Sequence, residues 1–283
     1  MKLSHAAFFL LTFLLPQSSF TQCSDAGVCS IGHRSSADLS NLISISYTFG
    51  QSGKPDDLSF HGAEVAADIG ITEDSRLSFS LPFNSQSGPL GSTTGIGDLV
   101  VLWSQRLLAQ SDFFLNLQGG VKFATGSVTA GGLPQAYQSG LGTTDLIFGI
   151  HGRMDGWGFA LAYQLAGGRS ENPVTRLQRG DDLLLRAAYT TNFKQLSLTL
   201  ETLVIKSLQE SSVRTSLPGQ PEVYGNIPNS NQTQINLVVR GSHPITGTLH
   251  LNAFAAIPTL KRDVNVDGLK RSIAISAGFS VSL

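Results

Sequence analysis

From Ile273 to the C-terminus the chain reads IAISAGFSVSL, and Ile273, Ile275, Ala277, Phe279, Val281 and Leu283 alternate with Ala274, Ser276, Gly278, Ser280 and Ser282. A strand sends successive side chains to opposite faces, so this is a ribbon with one apolar side and one small, wettable side. The pattern recurs along most of the chain. In LISISYTF, Ile43, Ile45, Tyr47 and Phe49 alternate with Ser44, Ser46 and Thr48. Leu77, Phe79, Leu81 and Phe83 oppose Arg76, Ser78 and Ser80, and Trp157, Phe159, Leu161, Tyr163 and Leu165 oppose Gly158, Ala160, Ala162 and Gln164. Val100, Leu102 and Phe254 are exceptions. Counting such runs predicts twelve strands.

The connections carry a second, independent pattern. GQSGKPDDLS is followed by TEDS, NSQSGPLGSTTG by LAQS, and TGSVTAGGLPQAYQSG by RMDG. The alternation continues through GGRSENPVTRLQRG and TTNF, then LQESSVRTSLPGQPEVYGNIPNSN and SHPITG, and finally KRDVNVDG. One end of the strand bundle is therefore tight and the other elaborate, with both termini at the tight end.

A soluble β-sandwich also alternates, but its strands are typically five or six residues long. Crossing a bilayer takes about 9–11 tilted residues, and the runs here match that figure. Aromatic residues gather near strand ends (Phe49, Phe83, Trp103, Phe113, Phe123, Trp157, Tyr189), as interfacial girdles do. The expectation is all-β: a single antiparallel transmembrane β-barrel of about 12 strands over residues 39–283. An unpaired backbone group in hydrocarbon costs several kcal/mol, so no sheet edge can stay open there. The last strand must pair both with its hairpin neighbour and with the first strand near Leu42–Phe49.

The N-terminus differs. Lys2 and the apolar run Ala6–Leu15 precede PQSSFTQ. Ten helical residues span about 15 Å, half of a bilayer core, so residues 1–21 read as a secretory signal peptide cleaved after Thr21. A lipoprotein signal fits less well, because Gln22 precedes Cys23. Residues 22–38 form an N-terminal segment holding both cysteines, Cys23 and Cys29, and are expected to be a plug or a periplasmic extension. Export to an oxidising compartment favours a Cys23–Cys29 disulfide over a metal or redox site.

Composition narrows the function. Charged residues make up only 14% of the chain, and 19 basic against 20 acidic residues leave no basic surface for nucleic acid. Ten charges form the inward set expected to line the lumen: Glu64, Asp68, Arg76, Asp98, Arg106, Lys122, Asp145, Arg186, Glu201 and Arg240. Their signs are mixed, which fits a wall of paired charges as well as direct solute contact. No HExxH, P-loop or CxxC occurs, and His33, His61 and His243 lack ligand spacing, so neither a metal nor a cofactor is expected.

Two stretches carry a family resemblance. TGIGDLVVLWSQRL resembles the Gly-x-Gly-Asp strand entry of the outer-membrane transporters named for the MetA pathway of phenol degradation. VKFATGS followed by SGLGTTDLIFGI is similar to that family's Thr-Gly loop and second strand entry. The motif match covers residues 91–150 and the layout most of the mature chain. The resemblance implies an outer-membrane channel for small molecules, hydrophobic or aromatic ones among them. The bland reading of Gly95 and Gly97 is a tight bend, with Asp98 paired to a basic residue.

The expected partners are outer-membrane lipid, a small-molecule solute and, during insertion, the barrel-assembly machinery. The terminal strand resembles that machinery's recognition signal, although Leu283 replaces the usual final aromatic residue. Both termini are expected on the periplasmic side. The alternatives are a barrel enzyme of phospholipase type, with His151 or His250 as the base, and a plugged structural barrel; the expectation is that the protein is not an enzyme.

Overall fold

A computed structural model describes residues 27–32, 41–217 and 219–283. The expected signal peptide, residues 1–21, and Cys23 lie outside the described residues. In chain order the strands are β1 (Leu42–Gln51), β2 (Ser59–Gly70), β3 (Ser75–Gly88), β4 (Gly91–Ile96), β5 (Leu99–Ala109), β6 (Phe113–Phe123), β7 (Asp145–Met154) and β8 (Trp157–Leu165). They continue as β9 (Asp182–Phe193), β10 (Leu196–Ser207), β11 (Ser212–Arg214), β12 (Tyr224–Asn226), β13 (Thr233–Pro244), β14 (Leu249–Leu260) and β15 (Ile273–Ser282).

Twelve of these close into one antiparallel barrel. Each pairs with its sequence neighbours, and β15 pairs with both β14 and β1. The seam runs in unbroken register from Leu42 opposite Ser282 to Gln51 opposite Ile273, as the rule against open edges in hydrocarbon requires. The other three strands belong to loops: β4 extends the β3 hairpin beyond the wall, and β11 and β12 pair with each other.

The two faces divide as the alternation predicts. Ile45, Phe148, Leu200 and Ile275 are about half exposed on the outside, whereas Ser276 and Ser280 are buried within. A large continuous apolar exterior of this kind is foreign to a soluble monomer and suits hydrocarbon. At the tight end Trp157 packs against Tyr189, ring centroids 4.9 Å apart. The start of β1 and the end of β15 meet there too: Leu283 N–H donates to the Asn41 carbonyl at 2.8 Å.

The inside is not uniformly polar. Val100 and Leu102 of β5, Ile147 of β7, Leu184 of β9 and Leu203 and Ile205 of β10 point inward and form one buried cluster. Leu141 and Leu269, from two of the long loops, join it. So do Cys29 and Ile31, in the segment that precedes the barrel. The exceptions to alternation at Val100 and Leu102 are thus inward residues with an apolar partner.

Candidate functional site: the barrel lumen

The lumen holds a cavity of about 720 Å³. Its wall near β1 and β15 is built of small polar side chains, Ser44, Ser46, Thr48, Ser276 and Ser280. These are the inward members of the alternating runs, so their chemistry follows from strand parity. Six of the ten charges singled out above line the cavity: Glu64, Asp68, Arg76, Arg186, Glu201 and Arg240. Glu64 accepts a hydrogen bond from Ser80 Oγ at 2.6 Å, and Asp68 accepts one from Ser78. Glu201 is held between two arginines, with Arg186 Nε and Arg240 Nε each 3.2 Å from one of its oxygens.

Asp98, Lys122 and Asp145 come together elsewhere, under the long loops. Lys122 Nζ is fully buried, 3.0 Å from Asp98, 3.3 Å from Asp145 and 2.8 Å from the Thr143 carbonyl. Arg106 lies off the cavity, at the tight end. Its side chain is 3.7 Å from Asp74 in the turn before β3, and a register irregularity in β5 falls beside it.

The N-terminal segment occupies one side of the lumen. A short 3-10 turn, Gly27–Ser30, rests against β7, β8 and β9. Gly32 N–H donates to Gln118 Oε1 at 2.9 Å, and Arg186 Nη2 donates to the Cys29 carbonyl at 2.8 Å. Ile31 is fully buried among the inward apolar side chains, which stabilises the docked segment by about 1.5–3 kcal/mol. Close approach needs small residues: a Cβ on Gly149 would stand 2.8 Å from Ile31 Cγ2, and one on Gly32 3.0 Å from Ala160 Cβ. The expected bridge from Cys29 runs to Cys23, outside the described residues.

The long loops fold inward over the other end. Beneath them Asp98, Lys122, Asp145, Arg179, Asp182, Arg262 and Asp267 form one buried network. Arg179 is its hub, 2.6 Å from Asp182 and 3.4 Å from both Asp145 and Asp267. Arg262 adds a second contact to Asp267 at 3.4 Å. Burial alone would raise the Asp267 carboxyl, but the Arg262 and Arg179 guanidiniums outweigh it and hold it below the usual range. On the outer surface of the loops, the hydroxyl of Tyr224 lowers Glu222, assisted by Arg176 and Arg214. Arg169 stacks 3.6 Å over the Tyr224 ring.

The two quoted glycine motifs meet in this region. Asp98 accepts from the backbone N–H of Gly126 at 3.0 Å and of Leu141 at 2.8 Å, while Ser139 Oγ donates to the Ile96 carbonyl at 2.9 Å. A Cβ on Gly97 would stand 2.7 Å from Pro82 Cγ, and one on Gly95 2.9 Å from Ser139 Oγ. The glycines therefore make room for the loop that Asp98 anchors, and the motif works as a loop clasp.

Two inward aromatics bear on the site: Phe60, not singled out from the sequence, and Phe254, met there as an exception to the alternation. Phe60 lies under the Arg271 guanidinium, 3.4 Å from ring centroid to Cζ, and Phe254 lies 5.0 Å from that of Arg240. Phe60 was legible from the even parity of β2; Arg271, in a loop, gave no signal. Of the histidines, His151 is buried, its Nε2 is 3.3 Å from Asn116 Nδ2, and Phe114 meets it edge-on. His250 is half-buried away from the cavity. His61 faces outward and bonds the Tyr47 hydroxyl at 2.5 Å. Among the described residues no group of three His, Cys, Asp or Glu could hold a metal ion.

No protein-family profile and no curated sequence matches the chain. Solved structures do. An outer membrane channel from Pseudomonas putida F1 superposes with a TM-score of 0.63 at 14% identity, covering 89% of this chain and 100% of that one. The NanC porin superposes with a TM-score of 0.54 at 9% identity, covering 86% and 100%. At these identities the likeness speaks for the barrel fold.

Proposed function

We propose that the protein is a bacterial outer-membrane channel that passes small solutes along the lumen of its barrel. The observation that carries this reading is the cavity of about 720 Å³ inside a closed wall, lined by hydroxyl and amide side chains and eight charged ones. A lumen built only for stability would be filled by side chains, as in small barrels. The apolar exterior supports residence in the outer membrane, with lipid as its partner. Short turns at the end where β1 begins and β15 finishes support a periplasmic placement of that end. The Cys23–Cys29 disulfide and the docking of residues 29–32 fit a segment that narrows the lumen from within. The resemblance in residues 91–150 favours hydrophobic or aromatic solutes, and the alternating β15 fits recognition by the barrel-assembly machinery.

A plugged structural barrel is favoured by one observation, the apolar packing of Ile31 against β7 to β10. A hydrolase is disfavoured by the surroundings of His151, whose neighbours are Asn116 and Phe114 rather than a hydroxyl. Planar-bilayer conductance and liposome swelling with neutral, anionic and cationic solutes test the channel reading. Stepwise conductance and selective swelling are expected. Absence of flux for all three solute classes refutes it in favour of the plug, and phospholipid turnover lost on His151→Ala or His250→Ala establishes the enzyme instead.

A further inference from the structure

The charges on the cavity wall are unevenly shared. On the side formed by β9, β10 and β13, two guanidiniums flank the single carboxylate of Glu201. The Arg186 side chain is 5% exposed; its Nη2 is taken by the Cys29 carbonyl, and its Nη1 has no hydrogen-bond partner. Arg240 is more open, at 21%. Its Nε serves Glu201 and its flat face lies over Phe254, but neither terminal nitrogen bonds to another described residue. An arginine edge with two free N–H groups in one plane matches the two oxygens of a carboxylate. Phe254, the aromatic residue that breaks the alternation of β14, offers an apolar face beside that edge.

The opposite wall carries charges of both signs. β2 stands diametrically across the ring from β9, reached through β3, β5, β6, β7 and β8 one way and through β1, β15, β14, β13 and β10 the other. It carries the Glu64 and Asp68 carboxylates into the cavity, with Arg76 of β3 beside them and Arg271 over Phe60. An anionic group is drawn to the arginine pair, while a ring finds its surface at Phe254. We propose that Arg240, with Arg186 behind it and Phe254 at its side, is a subsite for the carboxylate of a small aromatic acid in transit. The proposal rests on the channel reading above and names the solute class.

The test is equilibrium binding of radiolabelled benzoate to the full-length mature protein in detergent, with benzyl alcohol, benzylamine and acetate as comparators. In the wild type, benzoate is expected to bind at least about tenfold more tightly than any comparator. Arg240→Gln lowers benzoate affinity by at least about tenfold, and Arg240→Lys by less, because it keeps the charge but not the fork. Phe254→Leu weakens benzoate and leaves acetate unchanged. Benzoate binding no tighter than benzyl alcohol in the wild type overturns the subsite without any variant having to fold. Unchanged affinity in a folded Arg240→Gln protein overturns it as well. Conductance on the same preparations separates the two readings: Arg240-dependent binding without conductance removes the channel and keeps the subsite. Conductance with Arg240-independent binding does the opposite.

Discussion

Replacing Lys122 by Met is the sharpest probe of the buried network that holds the long loops. The ammonium is fully buried and lies within 3.3 Å of both Asp98 and Asp145. Removing one member of a buried ion pair costs roughly 3–5 kcal/mol, because the remaining charge stays desolvated. The surroundings place the loss at the lower end of that range. Asp145 keeps Arg179 at 3.4 Å, the Thr143 hydroxyl at 2.7 Å and Gln164 Nε2 at 2.5 Å. Asp98 keeps only the two backbone amides of Gly126 and Leu141. The expected cost is about 3 kcal/mol, borne mainly by the clasp between Asp98 and the loop at 124–144. Hydrogen exchange at the Gly126 and Leu141 amides reads that clasp directly. Three kilocalories correspond to a rise in opening on the order of a hundredfold, with protection in β1 and β15 unchanged. Adding Asp98→Asn to Lys122→Met removes the orphaned charge and is expected to restore part of the protection. Unchanged exchange at both amides in a folded barrel refutes the assignment of Lys122 as the cation that secures this loop.

The remaining predictions concern other parts of the molecule. Ile31→Ala deletes a fully buried side chain from the docked N-terminal segment, costs about 2–5 kcal/mol of that docking, and is expected to raise bilayer conductance; equal conductance shows that the segment does not restrict the path. Leu200→Arg places a charge on the exterior of β10 and is expected to cost about 2–4 kcal/mol if the position is near the midplane, measured by denaturant unfolding in lipid vesicles. Thr199→Arg, on the cavity side, is expected to cost far less, and equal losses at the two positions count against the face assignment. Asp267 titrates below its ordinary value because of Arg262 and Arg179. The stability it lends is therefore complete above the unfolded carboxyl range and lost as pH falls through its depressed folded value. Exchange protection of loop 261–272 is expected to hold at pH 6 and to fall only in strong acid, whereas loss near neutrality is the contrary result.

The wall was the most legible part of this protein. In β15 every second residue announces its face, because lipid on one side and a polar interior on the other impose a period of two. The interior filling was harder to read. Leu183, Leu184 and Leu185 run consecutively, and only the middle one turns inward to full burial. Leu203 and Ile205 sit on the same inward parity as Glu201, so a polar-face assignment for β10 passes over them. A strand apolar on both faces signals packing on both sides, and that signal was present where β9 begins and β10 ends. Nothing local could pair Lys122 with Asp98, or place the Cys29 carbonyl on Arg186, because those contacts depend on loop paths and on the curvature of the closed sheet. The glycines of TGIGD were visible as a motif, but the clearance they provide for Ser139 appears only once the loop has folded over them.

The seam between β1 and β15 also sets a schedule. The first strand of the chain cannot complete its hydrogen bonds until the last one arrives, since Leu42 must find Ser282. Until then the sheet is an open trough with two unsaturated margins, which hydrocarbon does not tolerate. The residues ahead of β1 are synthesised before any of the wall they will touch, yet Ile31 ends among β7, β9 and β10. Either they are laid into the trough while it is still open, or they are threaded back through the narrow end after closure. A kinetic experiment that times the protection of Ile31 against seam formation distinguishes the two orders.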